Sequence, residues 1–153
     1  MDVAVESLAA DASVVDTVVA WHWAEWSADH ADADLEAWRR GLRGRCTTAI
    51  PFTLVAYADA EPVGCVSVCH DDADPDHLDR GPWVSGLLVI RRARNLGVGR
   101  TLLGAAGERA RRHGATELWL HTSEAAQFYE RCGYELVRAR TDLQADAVLR
   151  TRL

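Results

Sequence analysis

The segment 94–100, Arg-Asn-Leu-Gly-Val-Gly-Arg, has the residue types of an anion site. It lies between an apolar run at 83–90 and a helical pattern that continues to about residue 113. A glycine loop that opens a helix leaves backbone N–H groups directed at one point, and the helix dipole adds positive potential there. Arg94 and Arg100 flank the loop and add charge. The segment therefore predicts a site for a phosphate or pyrophosphate.

Neither of two common nucleotide loops fits this segment. The dinucleotide-binding loop G-x-G-x-x-G requires a third glycine, but Leu102 stands at that position. The phosphate-binding loop of nucleoside triphosphatases requires a lysine, but all 17 basic residues of this chain are arginine. The same absence excludes Schiff-base chemistry and a lysine general base.

A second segment, 125–134, follows about thirty residues later and contains Phe128-Tyr129 and Gly133-Tyr134. Together the two segments resemble the GNAT family of acetyl-CoA-dependent N-acetyltransferases. In that family a strand, an R/Q-x-x-G-x-G/A loop, a helix, a strand and a short helix ending in F-Y-x-x-x-G-F/Y follow one another. The resemblance is strongest over 83–137, and the order of elements suits the whole chain.

The resemblance implies an α/β GNAT fold, a central mixed sheet flanked by helices, in a single domain over 1–153. It also implies acetyl-CoA as co-substrate, and we expect no metal. The backbone amides of 96–100 would hold the coenzyme A pyrophosphate, and β-strand residues Leu88 and Val89 would pair with the pantetheine arm. An amide near Leu88 would polarise the acetyl carbonyl. The expected cofactor-binding residues are Leu88, Val89, Arg94, Asn95, Leu96, Gly97, Val98, Gly99, Arg100 and Thr101.

Tyr129 matches the family tyrosine that lies near the thioester sulfur and can protonate the departing thiolate. The alternative is a core aromatic on an amphipathic helix. Phe128 suits that alternative better, because a buried phenol needs a hydrogen-bond partner.

The chain departs from the family pattern at several positions. Asn95 and Leu96 stand where many members have a glycine and a basic residue, and Thr122 stands where many have a cofactor-contacting asparagine. Ser85 falls where many carry a glutamate as general base. An alkyl ammonium with a pKa near ~10.4 is only about 1 part in 2,500 free amine at pH 7, a handicap of roughly 4–5 kcal/mol. The chain must therefore supply a base elsewhere.

An acidic run after the third predicted strand is the best source of that base. His70 and Asp72 are the candidates, acting directly or through water, and Asp71 would help to bind the acceptor. The alternative is an exposed hairpin tip. We favour the tip for Asp74, Asp76 and Asp79 and leave it open for His70 and Asp72.

Tryptophans cluster in the first two predicted helices, at Trp21, Trp23, Trp26 and Trp38. Core packing explains most of them, and Trp26 is our candidate for an acceptor contact by cation–π attraction. The other histidines show no metal-ligand spacing, and we interpret them as structural or surface residues: His22, His30, His77, His113 and His121.

Periodicity predicts the elements that must position these residues. Helices are expected at 13–27, with a capping box from Ser13 to Asp16, at 34–43, from the glycine loop to about 113, and from 123 to near 133. Strands are expected around Val3 and Val5 and at 51–58, 63–70, 83–90, 117–122, 134–138 and 147–153. Gly86 interrupts the central strand and indicates a bulge or a close backbone approach.

Charge divides the chain of 153 residues, whose net charge is −6. Residues 1–90 contain 5 arginines against 16 acidic residues, whereas 91–153 contain 12 against 7. This division suits an anionic cofactor beside a cationic substrate, and the alternative is solvated surface in both halves. The acidic balance argues against nucleic acid as a partner.

The remaining composition points to a cytoplasmic protein. No run reaches 18 apolar residues, so no membrane association is expected, and the N-terminus carries acid where a signal peptide needs base. The four cysteines contain no C-x-x-C pair and are expected to be reduced thiols.

We therefore expect transfer of acetyl from acetyl-CoA to a primary amine of a small cationic acceptor such as an aminoglycoside or polyamine. With aminoglycosides the role would be antibiotic resistance. A peptide or protein N-terminus is the alternative acceptor. A non-catalytic acetyl-CoA-binding module is the alternative to an enzyme, with a nucleotide-binding regulatory domain as a weaker third. Either a monomer or a homodimer is compatible with the residues.

Overall fold

The computed structural model describes residues 1–141 and 145–153. Its strands are β1 (Ala4–Ser7), β2 (Phe52–Ala58), β3 (Glu61–Cys69), β4 (Trp83–Val89), β5 (Glu117–Thr122), β6 (Glu135–Arg138) and β7 (Ala147–Arg152). Its α-helices are α1 (Val15–Trp26), α2 (Leu35–Arg43), α3 (Val98–Arg112) and α4 (Ala126–Arg131). The predicted α/β class with a mixed sheet is confirmed. Within the described residues, no helix has the length and apolar character needed to cross a bilayer.

One sheet contains all seven strands in the order β1-β2-β3-β4-β5-β7-β6. Every neighbouring pair is antiparallel except β4 and β5, which are parallel and connected through α3. Among the described residues, the β4–β5 ladder consists of the single pair Trp83 and Trp119. Beyond that pair residues 84–89 of β4 and 120–122 of β5 form no shared ladder, so a cleft opens between the two strands.

Helices cover the two faces of the sheet. On one face, α3 buries Leu102, Ala106 and Ala110 in the main core. On the other face, α1 buries Val18 and Val19 in a second core. Full burial of a side chain such as Leu or Val stabilises the fold by about 1.5–3 kcal/mol, so the two cores fix the helices on the sheet.

A bulge distorts β4 at Gly86. Leu88 pairs with Cys65 and Ser85 with Ser67, so two residues of β4 face one residue of β3. Gly86 has a φ of +61°, and a Cβ at this position would lie 3.0 Å from Cε1 of His22. The predicted irregularity is confirmed, and both a bulge and a close approach are present because α1 rests directly on the distorted backbone.

Two helix starts differ from the sequence predictions. A 3₁₀ turn, Ala12–Val14, precedes α1, and the expected capping box is wrong because the Ser13 hydroxyl binds Asp11 instead. Helix α4 begins at Ala126 rather than at residue 123, because the Thr122 hydroxyl accepts a hydrogen bond from the Ala125 amide (3.1 Å) and forms a turn first.

Asp74 is buried, with 4% of its surface exposed, so its prediction as a solvated residue is wrong. Its carboxylate accepts hydrogen bonds from Arg138 (2.8 and 3.1 Å) and from Nδ1 of His77 (2.9 Å). Burial acts to raise the pKa of Asp74, but the hydrogen bonds from Arg138 and His77 outweigh it and lower the pKa to about 2. The ion pair between Asp74 and Arg138 therefore connects the segment between β3 and β4 to β6.

We expect Asp74→Asn to destabilise the protein by about 3 kcal/mol, because it leaves the Arg138 guanidinium without its carboxylate partner. Denaturant unfolding at pH 7 measures the change. The pKa of Asp74 is lower in the folded state than its ordinary 3.8, so its stabilisation is present above pH 3.8 and is lost as pH falls through about 2. The exposed Asp79, whose side chain is 81% accessible, provides the matched control. Asp79→Asn should stay within about 0.5 kcal/mol of wild type, and equal losses in both variants would contradict the assignment.

We expect Gly86→Ala to destabilise the protein by about 2 kcal/mol, because a side chain at positive φ is strained and its Cβ meets the His22 ring. Unfolding in urea gives the change in free energy. The control is Gly104→Ala in α3, where nothing lies within 4 Å of the added Cβ. That control should stabilise the helix by up to about 1 kcal/mol, and a similar gain at Gly86 would be inconsistent with the bulge.

Candidate active site

The glycine loop presents open backbone amides at the start of α3. Gly97 has a φ of +83° and Asn95 a φ of +62°, which turn the chain sharply into the helix. The Thr101 amide donates to the Gly97 carbonyl (3.0 Å), and its hydroxyl donates to the same oxygen (3.1 Å). The amides of Val98, Gly99 and Arg100 precede that helical bond, and helix geometry leaves them without an intrahelical acceptor.

Side chains around the loop fix its position. Arg94 Nε donates to the Val89 carbonyl (2.9 Å), and Arg100 Nη2 donates to the Arg131 carbonyl (2.8 Å). These bonds connect the loop to the end of β4 and to the end of α4. A Cβ at Gly99 would lie 3.0 Å from Cζ of Phe128, so α4 packs against the first turn of α3. Exposed residues surround the open amides: Arg94, Asn95, Leu96, Gly97 and Arg100. The arrangement can hold a diphosphate.

The cleft between β4 and β5 continues from this loop. Leu88 and Val89 pair with β3, at Cys65 and Gly64. The opposite edge of β4 faces the cleft, because the ladder to β5 has ended. An extended ligand entering the cleft therefore meets strand edges, which can recognise it through backbone hydrogen bonds.

Tyr129 lies in an aromatic cluster of α4 and the segment after it. Its ring packs edge-on against Phe128 (centroid distance 5.2 Å) and Tyr134 (5.9 Å). Burial raises the pKa of Tyr129 to about 12, so the phenol keeps its proton at neutral pH. Such a group can donate a hydrogen bond to an anion formed beside it and pass on its proton as another proton replaces it.

Asp72 lies in a polar cluster near the start of the cleft. His121 connects it to Asp146: Nδ1 of His121 is 2.8 Å from Oδ2 of Asp146, and Nε2 is 3.1 Å from the main-chain oxygen of Asp72. Burial acts to raise the pKa of Asp72, but hydrogen bonds with His121 and with the Ser85 side chain outweigh it and lower this pKa. Ser85 is the position where the family pattern has a glutamate, so the cluster brings a carboxylate to that point from another element.

The neighbouring residues of the acidic run lie differently. His70 is exposed. Asp71 is also exposed, with 77% of its side chain accessible, and it pairs loosely with Arg45 at 3.4 Å. Of these three candidates, Asp72 is the one joined to β5.

Trp26 lies on the helix face that covers the bulge. It is half-buried, and its ring packs edge-on against His22 with a centroid distance of 5.1 Å. His22 Nε2 is 3.4 Å from Cys65 Sγ. Burial lowers the pKa of His22 to about 4, so this ring is neutral at pH 7.

Sequence reasoning missed His22 and His121, both interpreted as structural or surface residues. One signal for His121 was available in the alternation of β5. Leu118 and Leu120 enter the main core, so Trp119 and His121 must face the other side with Trp83. Nothing local indicated the partners. Among the residues described, no group of three or more His, Cys, Asp or Glu side chains could hold a metal ion.

Comparison with known proteins agrees with this geometry. The model of the "Acetyltransferase (GNAT) family" matches residues 15–134. No curated protein sequence matches the chain. An aminoglycoside 6'-N-acetyltransferase complexed with coenzyme A has a similar structure, with a TM-score of 0.73 and 14% identity over 99% of this chain and 97% of that one.

Two further solved structures are similar. An aminoglycoside 6'-acetyltransferase type Ii gives a TM-score of 0.73 at 16% identity, covering 99% of this chain and 97% of that one. An acetyltransferase of the GNAT family from Streptococcus pneumoniae gives 0.70 at 16% identity, covering 99% of each chain. At identities this low, the structural similarity establishes the fold alone. The family is established by the family model, which covers most of the chain. The protein therefore belongs to the GNAT family of acetyltransferases and uses acetyl-CoA.

Proposed function

We propose that this enzyme transfers acetyl from acetyl-CoA directly to a primary amine of a small cationic acceptor, of aminoglycoside or polyamine type. The observation that carries the acceptor class is the Asp72 carboxylate beside Ser85 at the start of the cleft. A carboxylate that stays ionised there attracts an ammonium group. Two similar solved structures are aminoglycoside acetyltransferases, which agrees with this class. Aminoglycoside acceptors would give the enzyme a role in antibiotic resistance.

The glycine loop is the proposed pyrophosphate site. The amides of Val98, Gly99 and Arg100 point into the loop, and Arg94 and Arg100 add positive charge beside them. The free edge of β4 at Leu88 and Val89 is the proposed contact for the pantetheine arm, with Asn95, Leu96, Gly97 and Thr101 shaping the loop. An amide near Leu88 would stabilise negative charge on the acetyl oxygen.

Asp72 is the proposed group that receives the ammonium and passes its proton, directly or through water, to the solvent. Removing that proton is the first barrier, worth roughly 4–5 kcal/mol for an ordinary alkyl ammonium at pH 7. We assign this role to Asp72 rather than to His70, because Asp72 has fixed partners and His70 is exposed. Asp71 and Trp26 are proposed to contact the rest of the acceptor by charge and cation–π attraction.

Tyr129 is the proposed acid for the leaving thiolate. Its phenol is protonated, and the proton that the attacking amine loses on becoming an amide can replace the one that Tyr129 gives up. Every proton is then accounted for. One leaves the ammonium through Asp72, and one passes from the amine to the thiolate through Tyr129.

All four cysteines are free thiols: Cys46, Cys65, Cys69 and Cys132. Reduced thiols are usual inside the cell, so we propose a cytoplasmic enzyme. A peptide N-terminus remains the alternative acceptor, because it is also a primary amine.

We expect thiol release from acetyl-CoA with one cationic class in a panel of aminoglycosides, polyamines, amino acids and short peptides. Tyr129→Phe should lower kcat about 100-fold, because the thiolate loses its proton donor, while acetyl-CoA affinity changes little. Steady-state kinetics and calorimetric titration measure the two quantities.

Tyr57 provides the control, since its hydroxyl binds Asp11 at the opposite edge of the sheet (3.1 Å). Tyr57→Phe should retain wild-type kcat. Binding of acetyl-CoA without turnover of any amine would favour the non-catalytic binding module.

We expect Asp72→Asn to reduce kcat/KM for the cationic acceptor about 100-fold, because the amide neither attracts an ammonium nor accepts its proton. The KM for acetyl-CoA should stay within about twofold. Asp79→Asn, an exposed acid of the same connection, is the matched control. If both variants lost activity equally, general surface charge rather than Asp72 would explain the acceptor preference.

A further inference from the structure

His121 has hydrogen-bond acceptors at both ring nitrogens. Nδ1 lies 2.8 Å from Oδ2 of Asp146, and Nε2 lies 3.1 Å from the main-chain oxygen of Asp72, with Oδ1 of Asp72 at 3.8 Å. A neutral imidazole has a hydrogen on only one nitrogen, and the other would then direct a lone pair at an oxygen. The imidazolium, which donates from both nitrogens, is the form that fits these contacts.

The charged groups around His121 agree with that form. Interactions with the Asp72 and then the Asp146 carboxylate raise the pKa of His121 to about 9 against the opposing effect of burial. The Trp83 ring of β4 lies 6.0 Å from the imidazole and carries no charge. Two cations act on the partners rather than on the ring: Arg138 donates to the Asp146 main-chain oxygen (2.8 Å), and the charge of Arg45, which pairs with Asp71, acts on Asp72 from a distance.

Asp72 depends on this contact for its position. The residue stands in the connection after β3, where the preceding His70 and Asp71 are exposed and 42% of the Asp72 side chain is accessible. Its partners in the described structure come from β4, through Ser85, and from β5, through His121. His121 is in turn held by Asp146, immediately before β7. These contacts link the connection between β3 and β4 to strands on both sides of the cleft.

We propose that His121 is a positioning residue: held by Asp146, its imidazolium fixes Asp72 beside Ser85, where the Asp72 carboxylate meets the ammonium of the acceptor. This inference rests on the proposed function. It adds Asp146 and His121 to the machinery, neither of which touches the reacting atoms. Loss of the imidazolium proton releases Asp72, so activity should fall on the alkaline side.

The test compares wild type, His121→Gln and Asp146→Asn in kcat/KM against pH, with the amine that gives the fastest turnover. His121→Gln should lower kcat/KM about 10- to 100-fold, with acetyl-CoA affinity changed less than twofold. The wild-type profile should decline near pH 9. In Asp146→Asn that decline should move to lower pH, because removing a carboxylate lowers the pKa of His121. The amine is the same throughout, so its own titration cannot produce the shift.

A double-mutant cycle separates positioning from general structure. If His121 acts through Asp72, then His121→Gln should have little further effect in an Asp72→Asn background. His113→Gln, an exposed histidine at the end of α3, is the matched control and should keep the wild-type profile. Asp146→Asn, with the His121 ring protons followed by NMR, gives the same test if His121→Gln does not fold.

Three results would overturn the inference. One is a His121→Gln profile that matches wild type, and another is an effect fully additive with Asp72→Asn. The third is an Asp146→Asn enzyme that becomes faster at neutral pH, which would make His121 itself the base. If wild type turned over no amine at all, the proposed function would fail and this inference with it. An active wild type with an unchanged His121→Gln would remove the inference alone.

Discussion

The end of pairing between β4 and β5 is the constraint on which the rest of the site depends. Trp83 and Trp119 pair, and beyond them the two parallel strands continue without a shared ladder. Unpaired strand edges are costly to leave inside a protein, so the cleft favours an extended ligand that can supply the missing hydrogen bonds. Two nearby features of the backbone shape this cleft. The β4 bulge at Gly86 turns the backbone, and the loop after β4 places the open amides of α3 near the end of the cleft.

The acidic segment that connects β3 to β4 lies on the other side of the cleft between β4 and β5, and it is part of the folded structure. Asp74 is fastened to Arg138 in β6, and Asp72 is joined through His121 to Asp146 before β7. Both contacts connect the segment to strands that follow α3, because Arg138 lies in β6 and His121 lies in β5. They therefore cross the boundary at which β4 and β5 stop pairing. The segment therefore joins the two halves of the sheet where their backbone pairing has ended. These contacts hold in place the Asp72 carboxylate, which is the proposed binding group for the ammonium of the acceptor.

Local pattern was enough to predict the elements, the glycine loop that opens α3 and the irregularity at Gly86, because these depend on residues close together in the chain. Burial of Asp74 could not be predicted in that way, since its partner Arg138 is 64 residues away. The same applies to His121, which lies 49 residues from Asp72 and 25 from Asp146, and to His22, which lies 43 residues from Cys65. A dense acidic run looks solvated until its long-range cationic partners are known.

The two missed histidines show how one protein gives the same type of side chain two different charge states. His22 extends from α1 onto Gly86, where burial lowers its pKa to about 4 and the ring is neutral. His121 lies between two aspartates, whose carboxylates raise its pKa to about 9 and make the ring cationic. Environments that separate the pKa values of like groups are typical of sites with divided roles. Near pH 7 both rings are well away from their pKa values, so the electrostatics that these two residues contribute vary little there. Near pH 7, the pH dependence of the reaction should therefore follow the deprotonation of the acceptor amine rather than a change in either histidine.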